Sequence, residues 1–171
     1  MTDTMTPEQR HRCMAAIKGK DTKPEMIVRR YLHALGFRYG LHNRKLPGSP
    51  DLIFRSFKTV VFIHGCFWHG HAGCKYYRLP KSNVEFWQQK IERNRQRDKE
   101  TRAKLIEKGW NVITVWECDL RDKTCRELTL SSLANKLNDL KRKSSGYEEF
   151  EPLPIAAEPD PKYGEWEISN Y

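Results

Sequence analysis

The 171-residue sequence contains no stretch of about 18 consecutive apolar residues, the length that a membrane-spanning helix needs. Residues 1–20 also lack the continuous apolar segment of a secretory signal peptide. We therefore expect a cytoplasmic protein with no membrane partner. Cysteines are few, and their number, five, is odd. In a reducing compartment such cysteines are better suited to metal binding or to burial as thiols than to disulfides.

Acidic residues are scarce outside the C-terminal end. The chain has 31 lysines and arginines against 22 acids, for a formal net charge of +9. Residues 144–171 hold seven acids and one lysine, so a net charge of −6 there leaves +15 on residues 1–143. So basic a body indicates a polyanionic partner. Because the tail is rich in Pro and Glu without periodicity, we expect one domain over residues 1–143 and a disordered acidic tail over residues 144–171.

The apolar pattern predicts strands that alternate with helices. Thr22-Lys23-Pro24-Glu25 has the form of a capping box, which starts a predicted helix over residues 23–35 that stops at Gly36. Further helices are predicted over 7–18, 83–108 and 125–141, the last with Leu128, Leu133, Leu137 and Leu140 as its apolar residues. Strands are predicted within FRYGLH, DLIF, KTVVFIHG and WNVITVWE. The alternation predicts a mixed α/β sheet with helices on its faces.

Two cysteines and a histidine lie within nine residues in the pattern Cys66-x4-His71-x2-Cys74, and Cys118 directly follows a predicted core strand. These four residues have the composition of a Cys3His tetrahedral zinc site. Such a site would fix a loop of low apolar content to the sheet. The alternative is that these are unrelated cysteines in a loop.

Two polar residues lie where predicted strands begin or end. His64 ends a buried strand, on the same face as Val60 and Phe62, and Asp51 begins the neighbouring apolar run. We expect the carboxylate and the imidazole to converge at one edge of the sheet, where open α/β sheets place their sites. The alternative for Asp51 is an ordinary turn residue after a proline.

Asp98 lies within the apolar stripe of the long predicted helix. It is two turns from both Ile91 and Leu105, and Val84 and Trp87 continue the same stripe. A carboxylate that faces inward must be paired, hydrated or bound to a metal. The alternative is a salt bridge to a nearby arginine. For Glu25, the capping box alone is a sufficient explanation.

Several motifs together resemble a known nuclease family. Glu25, SPD ending at Asp51, and FIH ending at His64 resemble a modified PD-(D/E)xK core, in which Phe62 replaces the second acid and His64 the lysine. With HGCFWHGH, VEFWQQKI and GWNVITVWEC added, the chain resembles the very short patch repair (Vsr) DNA mismatch endonucleases over about residues 8–141.

The resemblance implies a restriction-endonuclease-like fold with a structural zinc. It also implies a magnesium-dependent endonuclease that nicks one strand of double-stranded DNA 5′ to the thymine of a T:G mismatch, such as deaminated 5-methylcytosine produces. A functional link to a MutL-type repair protein is part of the same expectation. We expect a monomer.

The resemblance also assigns roles to residues. Asp51 and the backbone carbonyl of Ile63 match the magnesium ligands. His69 matches the imidazole that activates water, with His64, Asp98 and Glu25 around it. Aromatic side chains match those that wedge into DNA beside the mismatch, with a methionine of the DNA-contacting arm, residues 1–20, on the other side: Phe67, Trp68, Trp87 and Met14. The alternative for Phe67 and Trp68 is a place in the core.

Two other functions remain open. One is a restriction-type endonuclease on the same core, which would recognise matched DNA and cut both strands. The other is a zinc-stabilised DNA-binding module without catalysis. Magnesium-dependent nicking by the purified protein would separate the module from both enzymes.

Overall fold

The computed structural model describes residues 19–146, together with Thr6, Glu8, Gln9 and Arg12. In chain order the elements are α1 (Lys23–Ala34), β1 (Gly40–Leu41), β2 (Leu52–Phe54), β3 (Thr59–His64), α2 (Val84–Glu107), β4 (Asn111–Trp116), a 3-10 turn (Glu117–Leu120) and α3 (Lys123–Ser144).

All four predicted strands and the three longer predicted helices are present in the structure. The helix predicted over 7–18 falls largely outside the described residues, as do Met14 and residues 147–171 of the predicted tail. Helix α3 continues through Ser144, the residue at which the tail was predicted to begin.

Helix α1 begins where the capping box predicts. The Thr22 hydroxyl accepts a hydrogen bond from the Glu25 backbone N–H, and the Glu25 carboxylate accepts one from the Thr22 backbone N–H, both at 3.4 Å. Two of the otherwise unpaired amides of the first turn are thereby satisfied. Gly36, with φ of +83°, turns the chain away from the helix.

The sheet has the strand order β1-β2-β3-β4. β1 with β2 and β2 with β3 pair antiparallel, whereas β3 and β4 pair parallel. In the register, Leu52 lies opposite Val61, and His64 lies opposite Trp116. The start of β2 therefore meets the ends of β3 and β4 at one edge of the sheet.

Alternate residues of β3 face opposite sides of the sheet, which places a core on each side. Val61 belongs to a core with Val28 of α1 and Leu137 of α3. Val60 and Phe62 pack with Leu105 of α2 in a second, smaller core. The predicted mixed α/β sheet with helices on its faces is confirmed. Within the described residues, none of the helices combines the length and the apolar composition that a bilayer crossing requires.

Two predicted inward-facing residues are in fact exposed. Val84 is the first residue of α2 and is 42% exposed. Leu128 is 66% exposed because it lies nine residues, two and a half turns, before the buried Leu137 and so occupies the opposite face of α3. Ile91 and Leu105 are buried as predicted.

Candidate functional site

A cleft of about 920 Å³ opens at the edge of the sheet where β2 begins and β3 ends. Its walls combine carboxylates, imidazoles and basic side chains. The carboxylates are Glu25, Asp51, Asp98 and Glu117, the imidazoles are His42, His64 and His69, and the basic side chains are Lys20, Arg44 and Arg97. Asp51 and His64 do converge, as their positions at neighbouring strand ends predict. A cleft with this lining suits a negatively charged ligand together with a cation.

Asp51 is held by the end of β3. Its Oδ2 accepts a hydrogen bond of 2.7 Å from the backbone N–H of Ile63. Burial raises the pKa of Asp51 above its usual range, the Ile63 bond opposes that shift, and the nearby Glu25 adds to it. The carboxylate thus lacks full compensation for its charge, and a hard divalent cation would supply it. Ile63, whose backbone carbonyl was predicted as a second ligand, lines the same cleft.

His64, His69 and Asp98 form one contiguous group. The His64 and His69 rings stack with centroids 3.7 Å apart and planes 6° apart. His69 Nδ1 lies 2.6 Å from Asp98 Oδ2. Among the described residues Asp98 therefore pairs with a histidine, and the alternative of an arginine salt bridge is wrong.

The surroundings of the two imidazoles determine the charge of His64 and the tautomer of His69. Burial, assisted by the neighbouring His69, lowers the pKa of His64 to about 4, against an opposing effect of Asp98. His64 is therefore neutral at neutral pH. A carboxylate at Nδ1 of His69 favours the tautomer with the proton on that nitrogen, which leaves Nε2 able to accept a proton.

The loop after β3 is held in place by α2. The side-chain amide of Asn94 donates to the backbone carbonyl of Trp68 at 2.8 Å, and the Arg95 guanidinium donates to the carbonyl of Gly70. Gly70 has φ of +57°, and a Cβ at this position would collide with Ile91 and Arg95. A close-packed glycine thus lets the loop approach the helix, which brings His69 to Asp98.

Cys66, His71 and Cys74 of this loop meet Cys118, which follows β4, and each of the four offers a ligand atom within 4.8 Å of the others. His71 Nδ1 lies 3.7 Å from the Cys66 sulfur and 3.4 Å from the Cys118 sulfur. The corresponding edge of a tetrahedron with ordinary zinc–sulfur and zinc–nitrogen bonds is about 3.6 Å. Burial raises the pKa of the Cys66 and Cys118 thiols. A metal ion would reverse that preference, because it binds thiolates.

Three aromatic side chains form a cluster in which one member, Trp68, lines the cleft. Phe67, Trp68 and Trp87 make edge-to-face contacts with centroids 5.2–6.0 Å apart, and the Lys90 ammonium lies 5.7 Å from the Trp68 ring. All three are half-buried, and none belongs to either hydrophobic core. The adjacent Phe86 is 52% exposed. This position favours a contact surface over a purely structural role.

Among the carboxylates and imidazoles of the cleft, residue-level reasoning missed His42 and Glu117. His42 follows the short edge strand β1, and no periodic pattern marks a residue in such a loop. Glu117 directly follows Trp116, which lies opposite His64. A parallel β3–β4 pairing, had it been predicted, would have placed Glu117 at the same edge.

A half-buried carboxylate beside a histidine–carboxylate pair in a basic-walled cleft is an arrangement that suits the hydrolysis of phosphodiesters. The family described as "DNA mismatch endonuclease Vsr" matches residues 2–75. The chain is 47% identical over 133 residues to the Type II nicking enzyme V.XorIIP of Xanthomonas oryzae pv. oryzae, covering 78% of this chain and 97% of the relative. It is 36% identical over 139 residues to the DNA mismatch endonuclease Vsr of Escherichia coli K12, covering 81% and 87%. The chain belongs to the Vsr family, and it is an enzyme.

A third relative, the Type II nicking enzyme V.NmeAIP of Neisseria meningitidis serogroup A, is 45% identical over 140 residues, which covers 81% of this chain and 99% of the relative. The similarity therefore extends well beyond residues 2–75, over a length that suffices for the sheet and the cleft.

Proposed function

We propose that this protein is a magnesium-dependent endonuclease with a restriction-endonuclease-like core that nicks one strand of duplex DNA 5′ to the thymine of a T:G mismatch. The observation that carries the proposal is the meeting of Asp51 with the His69–Asp98 pair in a single basic-walled cleft. Family membership supports the reaction class, and one relative is named a DNA mismatch endonuclease.

Each group in the cleft has a distinct part in this proposal. Asp51 and the Ile63 carbonyl would hold magnesium, whose charge would stabilise the negative charge that develops on the phosphoryl oxygens. His69 accepts the proton of the attacking water at Nε2, and Asp98 stabilises the resulting imidazolium through Nδ1. The neutral His64 ring stacks on the His69 ring and holds that ring in its plane. Glu25 lies in the wall next to Asp51.

The Cys66, His71, Cys74 and Cys118 group is proposed to hold one zinc ion with a structural role. Thiolate and imidazole ligands favour zinc, whereas the carboxylate and carbonyl oxygens at Asp51 favour magnesium. Zinc would fix both ends of the loop that carries His69. The same restraint would hold Phe67 and Trp68 in a constant position relative to the cleft.

In this proposal, the aromatic cluster gives the enzyme its preference for mismatched DNA. Ring insertion requires partial unstacking of a base step, and a wobble pair is less costly to unstack than a matched pair. Phe67, Trp68 and Trp87 lie beside the cleft and offer faces and edges for such stacking. Met14, proposed for the opposite side of the base step, lies outside the described residues. A monomer suffices for this arrangement, and the link to a MutL-type protein stays a prediction.

A cleavage assay on short duplexes tests the proposal. Three duplexes that differ at a single pair, T:G, T:A or C:G, are each labelled on one strand at a time and incubated with the protein in magnesium or in EDTA. We expect a nick in the thymine strand of the T:G duplex only, and only with magnesium. Cleavage of both strands of a matched duplex would favour the restriction-type enzyme. Binding without cleavage in any context would favour the non-catalytic module.

A further inference from the structure

His42 lies between two carboxylates that come from different parts of the fold. Its side chain is 18% exposed, with Nε2 3.1 Å from Glu25 Oε1 and Nδ1 4.0 Å from Asp51 Oδ1. Glu25 belongs to the first turn of α1, and Asp51 immediately precedes β2. One imidazole ring therefore spans the gap between a helix start and a strand start at the wall of the cleft.

The environment of Glu25 exceeds what a helix cap requires. Its Oε2 accepts the capping bond from Thr22, while Oε1 faces Arg29 at 3.3 Å and His42. Arg29 is itself held by Asp21 at 2.5 Å. A cap normally lies at the surface, yet Glu25 is only 2% exposed. The second oxygen is thus part of a buried network that leads through His42 toward Asp51.

His42 occupies this position at a conformational cost. Its φ of +43° lies in the left-handed region, which is unfavourable for a non-glycine residue by about 1–2 kcal/mol. Its Nε2 is buried and, among the described residues, completes no hydrogen bond, because the 3.1 Å separation from Glu25 is not matched by alignment. Strained backbone and unpaired groups concentrate at functional sites. Hydrogen bonds in such sites also tighten when ligands bind.

We propose that His42 is a positioning residue, which fixes the Asp51 carboxylate for metal binding by linking it to Glu25; the inference rests on the proposed function. The Ile63 N–H bond fixes Oδ2 of Asp51, and the His42 ring, 4.0 Å from Oδ1 and so beyond hydrogen-bond distance, limits the space into which Oδ1 can rotate. That restraint matters because Mg²⁺ demands nearly ideal octahedral geometry from its ligands.

Two substitutions separate positioning from folding. Asn at position 42 tolerates a left-handed backbone but is too short to span the two carboxylates. Gln reaches further and restores an N–H donor toward Glu25. The control is His33→Gln, because His33 is an exposed histidine of α1 outside the cleft. Each full-length variant is titrated with Mn²⁺, a probe that suits oxygen ligands, and free Mn²⁺ is followed by electron paramagnetic resonance. Thermal unfolding and the dependence of nicking on magnesium are measured in parallel.

We expect His42→Asn to weaken Mn²⁺ binding roughly 10–100-fold, the usual effect of losing a group that orients a metal ligand. The magnesium midpoint for nicking should rise in parallel, with the rate at saturating magnesium largely recovered. His42→Gln should restore much of the affinity, and His33→Gln should match wild type. A merely structural role would lower the melting temperature and the active fraction without moving either midpoint.

The outcomes distinguish this proposal from the one on which it rests. Unchanged Mn²⁺ affinity in folded His42→Asn overturns the role of His42 while the wild type still nicks DNA. If His42→Asn fails to fold, the decision passes to His42→Gly, which suits the left-handed backbone and lacks the ring: weakened Mn²⁺ binding supports the link, and wild-type affinity overturns it. A wild-type protein that neither binds Mn²⁺ nor nicks DNA overturns the proposed function, and the His42 proposal with it.

Discussion

Gly48→Ala should destabilise the protein because the added Cβ would collide with α2. Gly73→Ala serves as the comparison, because it adds a Cβ where no such collision occurs. Gly48 and Gly73 both have φ of +71°, so alanine carries the same backbone penalty at each. At Gly73 an added Cβ meets nothing within 4 Å, whereas at Gly48 it would overlap the methyl group of Thr101 and lie 3.4 Å from Phe62 Cε1. Thr101 is β-branched and has few rotamers on a helix, so the overlap is not relieved by a flexible side chain.

The magnitudes follow from these contacts. The left-handed backbone costs alanine roughly 1–2 kcal/mol, and the stiffer unfolded chain offsets about 0.4–1 kcal/mol of that, so Gly73→Ala should lose about 1 kcal/mol. Gly48→Ala adds an overpacking cost of roughly 1–3 kcal/mol. Thr101→Ser, which removes only the colliding methyl group, should recover most of that addition in the double variant, at a cost of its own below about 1 kcal/mol.

Urea unfolding of the four variants and the wild type provides the measurement, with the free energy of unfolding compared at constant m-value. Gly48 also lies three residues before Asp51, so Gly48→Ala should reduce nicking more than Gly73→Ala does. Equal losses of stability in the two alanine variants would refute the steric reasoning. A double variant no more stable than Gly48→Ala would refute the assignment of the collision to Thr101.

Three further predictions concern the site itself. Metal analysis should give about one zinc per chain, and the zinc content should fall in Cys118→Ser. It should not fall in the control Cys125→Ser, because Cys125 is exposed and lies outside the four-residue group. A wild-type protein that is fully folded without zinc would contradict this prediction. Asp51→Ala should abolish nicking with mismatch binding largely kept, and activity within tenfold of wild type, a barrier change of only about 1.4 kcal/mol, would exclude a metal-ligand role. Trp68→Ala should remain folded but lose its mismatch preference, because it loses roughly 1–3 kcal/mol of stacking on a base. His69→Ala should keep mismatch binding and lose turnover. A large drop in the melting temperature of Trp68→Ala, with unchanged mismatch discrimination, would assign the ring to the core.

Elements marked by strong local signals were predictable from the sequence. The capping box located the start of α1 because its two hydrogen bonds involve residues only three apart. The continuous apolar run identified β3 as a central strand, since both of its faces are covered by helices. Strand order and direction were not predictable, because an apolar pattern reports burial but not the pairing partner.

The candidate site was predictable to the extent that its residues lie at strand ends or in a metal-ligand spacing. Asp51 and His64 lie at strand ends, and Cys66, His71, Cys74 and Cys118 have the composition of a metal site. The structure brings each of these two sets together. His42 and Glu117 carried no such signal. His42 comes near Asp51 because β1 pairs with β2, and Glu117 comes near the end of β3 because β4 pairs with β3. Both pairings are properties of the folded chain.

The sheet order follows the chain order, so β1, β2 and β3 can pair as a meander while the ribosome is still synthesising α2. The chemical groups of the cleft, by contrast, become complete late: Asp98 arrives with α2, and Cys118 arrives only after β4. A chain synthesised only through β3 therefore has Asp51 and His64 but neither the Asp98 carboxylate, which lies against His69, nor Cys118 of the Cys66, His71, Cys74 and Cys118 group. We expect a partly synthesised protein to leave DNA intact, because the architecture delays the capacity to break a strand until the domain is nearly finished.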